Sequence, residues 1–150
     1  MADSPLKTRI TDAMKDAMRA KDKARLGTIR LALSEIKRIE VDERIDPDDS
    51  RIISILDKMV KQRNESIKQY ELGGRQDLVD QEAMEIRVLK EFLPEAISET
   101  ELAEIIRSAI AETGAQSVKD MGKVMGLVKP KVLGRADMAV VGNQIKSLLG

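Results

Sequence analysis

"GGRQDLVDQEAMEIRVLKEFLPEAISETEL", residues 73–102, is the stretch whose reading decides the fold. Gly73 and Gly74 stop whatever precedes them, because glycine is the usual residue beyond a helix end. From about Asp77, the residues Val79, Ala83, Ile86, Leu89 and Leu93 recur at helical spacing on one face. Pro94 ends that helix. "SETE" at 98–101 then reads as a capping box: Ser98 accepts from the third helical N–H, and Glu101 reaches back. One amphipathic helix therefore closes at Pro94 and another opens four residues later.

The same grammar extends outward in both directions. Upstream, Ser4 caps a first helix with Pro5 at its first position, and Leu6, Ile10, Met14, Ala17 and Met18 share a face. Leu26, Ile29, Leu33 and Ile36 mark a second helix. "DERIDPDDS" (42–50) is a loop, after which Asp49 or Ser50 caps a third helix bearing Ile52, Leu56, Met59, Val60, Ile67 and Tyr70. Downstream, Leu102, Ile105, Ile106, Ala109 and Ile110 form a stripe closed by Gly114. Ser117 caps a helix carrying Val118, Met121, Val124, Met125 and Val128. Pro130 and Gly134 separate it from a last helix, capped by Asp137, with Met138, Val141, Ile145 and Leu148 inward. No stretch alternates with period two. The expectation is an all-α chain: a helical domain of about four helices at 1–94, a compact three-helix domain at 95–150, and Pro94 as the hinge.

Composition narrows the chemistry. Hydrophobic residues are 42% and charged residues 35%, with Lys+Arg and Asp+Glu both 26, so attraction for a polyanion must come from local patches. Cysteine and histidine are absent, which removes thiolate nucleophiles, zinc knuckles and the commonest general base. The aromatics are Tyr70 and Phe92 alone, too few to stack single-stranded bases. "LGGRQD" lacks the Lys-Ser/Thr of a phosphate loop, and "DERIDPDDS" lacks the glycine and closing glutamate of a calcium loop. No catalytic residue, cofactor or metal site is expected. No run reaches the roughly 20 apolar residues of a membrane span, and "MADSPLKTRI" has no apolar signal region. A soluble cytoplasmic protein is the resulting expectation.

The chemistry-bearing stretch is "SVKDMGKVMGLVKPKVLGR" (117–135), with five cations against one anion, Asp120. Treated as a helix from 118 to 129, it gathers Lys129, Gly122, Gly126, Lys119 and Lys123 beside the apolar stripe. Two glycines cost a helix about 1 kcal/mol each relative to alanine. Either they floor a groove that admits a phosphate backbone, with Lys131 and Arg135 extending it, or they seat a neighbouring helix. The Met121, Met125 and Met138 stripe reads as core. Residues 7–38 are a second basic stretch, with ten Lys or Arg and four Asp or Glu. A phosphate track and a helix face solvated by i,i+4 pairs account for it equally well.

"GRQDLVDQEAMEIRVLKEFLP" (74–94), "SETELAEIIRSAIAETGA" (98–115), "SVKDMGKVMGLVKPKVLGRAD" (117–137) and "AMKDAMRAKDKARLGTIRLALSEIK" (13–37) together resemble the GatB/YqeY family, in its free-standing YqeY-like form. The resemblance covers nearly the whole chain. It implies an N-terminal helical bundle followed by a three-helix domain akin to the tail of the aspartyl/glutamyl-tRNA amidotransferase B subunit. That tail helps dock tRNA, whereas the amidation chemistry belongs to a separate catalytic body. The resemblance thus implies a tRNA-binding accessory protein of translation that is not catalytic alone. With that resemblance beside the helical-wheel reading, the expected RNA-docking residues are Lys119, Gly122, Lys123, Gly126, Lys129, Lys131 and Arg135. Two alternatives stand beside it: a module that binds an amidotransferase or aminoacyl-tRNA synthetase, and a component with carbon–nitrogen ligase activity using glutamine as amido-N-donor.

Overall fold

The computed structural model describes residues 4–150; the first three residues of "MADSPLKTRI" lie outside them. Among the described residues the regular structure is entirely helical, as the periodicity implies. The chain divides into two compact units, one ending at Leu93 and the other spanning Pro94–Gly150.

The first unit holds α1 (Pro5–Ala20), α2 (Lys23–Glu43), α3 (Asp49–Leu72) and α4 (Gln76–Lys90). Its core is built from Ile10, Ile29, Ile36, Ile52, Leu56 and Leu89, all essentially without solvent exposure, with Phe92 as its one aromatic. Ser4 caps α1 by accepting from the Lys7 N–H at 3.1 Å, and its hydroxyl donates to Asp49. Asp49 also accepts from the Leu6 N–H at 3.2 Å. That second duty explains why Asp48, rather than Asp49 or Ser50, caps α3 through the Arg51 N–H at 2.9 Å. Two aspartates of the acidic loop thus satisfy helix-end amides. Met18, expected on the buried face of α1, is instead 49% exposed, and Ala13 takes its place in the core.

The second unit holds α5 (Glu99–Thr113), a 3-10 turn (Val118–Asp120), α6 (Met121–Val132) and α7 (Met138–Leu149). Its core is Ile106, Val124, Val128, Val132, Val141 and Ile145, with Leu102 and Ala109. Met121, Met125 and Met138 pack against that core. Gly114 closes α5 in the left-handed conformation, φ 68°, which glycine adopts without steric cost. Half of the capping box forms: Ser98 accepts from the Glu101 N–H at 3.1 Å, but the Glu101 carboxylate turns to Arg135 instead of reaching back. Leu148 is exposed, and Leu149 packs inward in its place.

Pro130 does not end its helix. It lies inside α6, which continues to the fully buried Val132. Pro130 falls in the last turn, where the missing N–H removes one bond only. Burial of Val128 and Val132 on either side of it holds the turn helical.

Candidate nucleic-acid interface

Three facts fix how α6 presents itself. Val124, Val128 and Val132, spaced four apart, are all fully buried. Gly122, Gly126 and Pro130, two residues out of step and therefore on roughly the opposite side of a helix of 3.6 residues per turn, are all exposed. Between these rows run Lys123, Leu127 and Lys131 on one flank and Met121, Met125 and Lys129 on the other. The outward face of α6 is thus a ridge without long side chains, with Lys123 and Lys131 along one edge and Lys129 along the other.

The two sequence-level accounts of the glycines separate here. A Cβ added at Gly122 or at Gly126 would meet nothing within 4 Å. Neither glycine seats another helix of the second unit. The glycine that does so is Gly142 of α7, whose added Cβ would lie 3.4 Å from the Met121 Cε and 3.8 Å from the Met125 Cε. Close helix packing is therefore real in this unit, but on the buried side of α6. Pro130 adds a feature to the ridge that the residue pattern alone did not flag. Having no N–H, it leaves the Gly126 carbonyl without its helical donor.

The lysines are free to act on the ridge. Lys119, Lys123, Lys129 and Lys131 are exposed, and none has a carboxylate within 4 Å among the described residues. Asp120, the one acid of the 117–135 stretch, binds backbone amides. Its carboxylate accepts the Gln116 N–H at 3.0 Å. That bond, helped by the Ser117 N–H and the Lys123 charge, holds its pKa below the usual aspartate range. Asp120 therefore stays ionised and offsets one charge of the stretch, partly that of Lys123, which leaves the cations in surplus.

The expected residues are not all brought together. Gly122, Lys123, Gly126, Lys129 and Lys131 share α6, with Lys131 inside the helix rather than in a following turn. Lys119 sits in the preceding 3-10 turn, out of register with α6, because Ser117 caps that turn through the Lys119 N–H at 3.3 Å. Arg135 is committed elsewhere. Its guanidinium donates to the Glu95 carbonyl at 3.0 Å and to both Glu101 carboxylate oxygens at 3.3 and 3.1 Å. With the Ile97 N–H donating to the Arg135 carbonyl at 2.9 Å, Arg135 ties the segment entering α5 to the turn before α7.

Comparison with known proteins gives a consistent picture. A family model described as "Yqey-like protein" matches residues 7–149. The chain is 32% identical over 145 residues to "Altered inheritance of mitochondria protein 41, mitochondrial" of Pyrenophora tritici-repentis, covering 95% of this chain and 80% of that one. It is likewise 32% identical over 136 residues to the protein of that name from Kluyveromyces lactis, covering 89% and 70%. The expectation of a cytoplasmic protein is corrected by these relatives, which are named as mitochondrial. That expectation rested on features that speak to membrane insertion and secretion, not to choice of compartment. Among the described residues no helix is long and apolar enough to cross a membrane, and that fact leaves the compartment open.

Proposed function

The chain belongs to the Yqey-like protein family, and from that premise we propose that it is an RNA-docking accessory protein whose partner is tRNA, held on the outward face of α6. The observation that carries this reading is the open Gly122–Gly126–Pro130 ridge, edged by lysines that form no ion pair among the described residues. A phosphate backbone laid on such a ridge approaches the helix closely while ammonium groups reach it from both sides. Contacts of this kind read charge and shape rather than bases, which fits a chain with two aromatic residues. The freed Gly126 carbonyl supplies an acceptor for a ribose 2′-hydroxyl. The proposed role parallels that of the tRNA-docking tail of the amidotransferase B subunit. The chain contributes docking, and any amidation chemistry belongs to a partner. The mitochondrial naming of the relatives makes mitochondrial tRNA the first probe.

One feature also favours a second reading. Small residues at i and i+4 on an exposed helix face suit close approach by a helix of another protein, such as an amidotransferase or synthetase. The two readings part on salt and nuclease. RNA docking falls steeply with ionic strength, whereas protein capture survives nuclease. Charge reversal at Lys123, Lys129 and Lys131 should abolish tRNA retention on filters while the far-ultraviolet circular dichroism stays unchanged. Undiminished retention by that folded variant would exclude the α6 face as the docking surface.

A further inference from the structure

The first unit carries its own row of cations that form no ion pair among the described residues. Lys23, Arg30 and Lys37 stand seven residues apart on α2, all exposed. At 1.5 Å per residue they mark points about 10.5 Å apart, on nearly one line along the helix. Gly27 and Ser34, both exposed, lie between them, and an added Cβ at Gly27 would meet nothing within 4 Å. The ridge between the charges is therefore low. Burial of Ile29, Ala32 and Ile36 fixes the opposite side of α2 in the core, so this row faces outward.

Solvation by i,i+4 ion pairs does not explain the row. Helical neighbours three or four residues away hold no acid for Lys23 or Arg30. Lys37 has one such acid, Glu40, and Glu40 is engaged by Lys7. The acids at either end of the row are also committed: Asp22 caps α2 through the Arg25 N–H at 3.2 Å, and Glu35 pairs with Arg38. The remaining cations of α2 are the paired ones, Arg25 with Glu91 and Arg38 with Glu35 and Asp42. The helix thus sorts its cations into a structural set and a free, evenly spaced set.

We propose that α2 is a second, independent polyanion track, fitted to the sugar–phosphate backbone of a duplex RNA arm. A straight row of charges at a constant interval matches a partner of constant linear charge density better than an acidic protein patch. The exposed face of α2 offers no aromatic on which an unpaired base would stack. Adsorption as an amphipathic helix on an anionic lipid surface would require a continuous apolar face turned to lipid, and apart from the exposed Leu31 and Val41 the large apolar side chains of α2 are spent on the core. Only the choice of RNA over DNA rests on the function proposed for α6.

The test uses the full chain, with a short RNA duplex, the matching DNA duplex, tRNA and phosphatidylserine-containing vesicles as probes. Affinity is measured across a salt series for the wild type, the α2 variant K23E/R30E/K37E and the α6 variant K123E/K129E/K131E. Loss of three phosphate contacts should weaken RNA binding at least tenfold at low salt and reduce the slope of log K against log salt by about 2–3. The α2 positions are exposed, so the variant should keep its circular dichroism. Should it misfold, K23Q/R30Q/K37Q is measured instead, with the same sign of effect expected. Unchanged affinity and slope in the folded α2 variant overturns the proposal, and an α6 variant that alone loses binding leaves the α6 reading standing. The reverse pattern upholds the α2 track and removes the α6 reading. Preference for the DNA duplex, or an effect confined to vesicle binding, also overturns it.

Discussion

The replacement of Gly122 and Gly126 together by alanine separates stability from function in one variant. Both sites are open to a Cβ, with no atom within 4 Å. No steric cost offsets the gain in helix propensity. Gly126 lies in the interior of α6, where alanine is favoured by about 1 kcal/mol. Gly122 is the second residue of the helix, where the gain is a fraction of that. The pair should stabilise the second unit by roughly 1–1.5 kcal/mol, which for a unit of this size raises its melting temperature by roughly 5–10 °C. Calorimetry or urea titration measures this directly. The same two methyl groups stand on the ridge where a phosphate backbone would lie, so tRNA affinity should fall about tenfold, equivalent to about 1.4 kcal/mol. A protein more stable and less able to bind is the signature of a surface kept bare for a ligand. A loss of stability would mean that the glycines seat something after all. Unchanged affinity beside the expected stabilisation would mean that nothing approaches the ridge.

Other consequences are equally concrete. Ile106, fully buried in the second core, should cost about 2–5 kcal/mol on replacement by alanine, read by denaturant titration. Arg135→Ala should cost the second unit about 1 kcal/mol through loss of the Glu101 and Glu95 contacts, yet reduce tRNA affinity less than Lys123→Ala. A larger affinity loss with unchanged stability would return Arg135 to the binding face. Glu82 shares Arg63 with Glu85, at 4.0 and 3.6 Å respectively. Burial, then the charge of Glu85, pushes its pKa above the usual glutamate range. The folded state therefore holds that proton more tightly than the unfolded chain. The penalty for the ionised form is present above the raised pKa and is relieved as pH falls through it toward the unfolded value. Glu82→Gln should thus be more stable than the wild type at neutral pH, with the difference shrinking on acidification. A difference that grows with acidity would contradict the assignment.

Much of the fold was legible because punctuation and periodicity agree. Gly73, Gly114 and Asp137 stop or start helices where local chemistry demands it, and the valine row of α6 is buried as its spacing implies. Two of the misreadings share one cause, competition by a partner distant in sequence. Glu101 abandons its capping role for Arg135, and Asp49 leaves the capping of α3 to Asp48 because Ser4 and Leu6 claim it. Pro130 reads locally as a terminator, but a last-turn position beside buried valines tolerates it. The lysines of the candidate site were visible as a charge run, whereas their arrangement depended on where α6 begins. Ser117 opens a 3-10 turn instead of the α-helix, which moves Lys119 out of register. Freedom from ion pairs, which distinguishes the cations of α6 and of the α2 row from those of Arg25 or Arg38, has no signature in composition. It emerges only once the acids have been assigned to their partners.

The central claim is that the lysine-edged ridge of α6 docks RNA through its backbone, and the salt dependence of tRNA affinity tests it most directly. The slope of log K against log salt should be steep for the wild type. Each phosphate contact removed contributes roughly 0.7–0.9 to it, so reversal of Lys123, Lys129 and Lys131 should flatten it by about 2–3. Affinity that is insensitive to salt, or slopes that coincide for the wild type and that variant, would contradict the account.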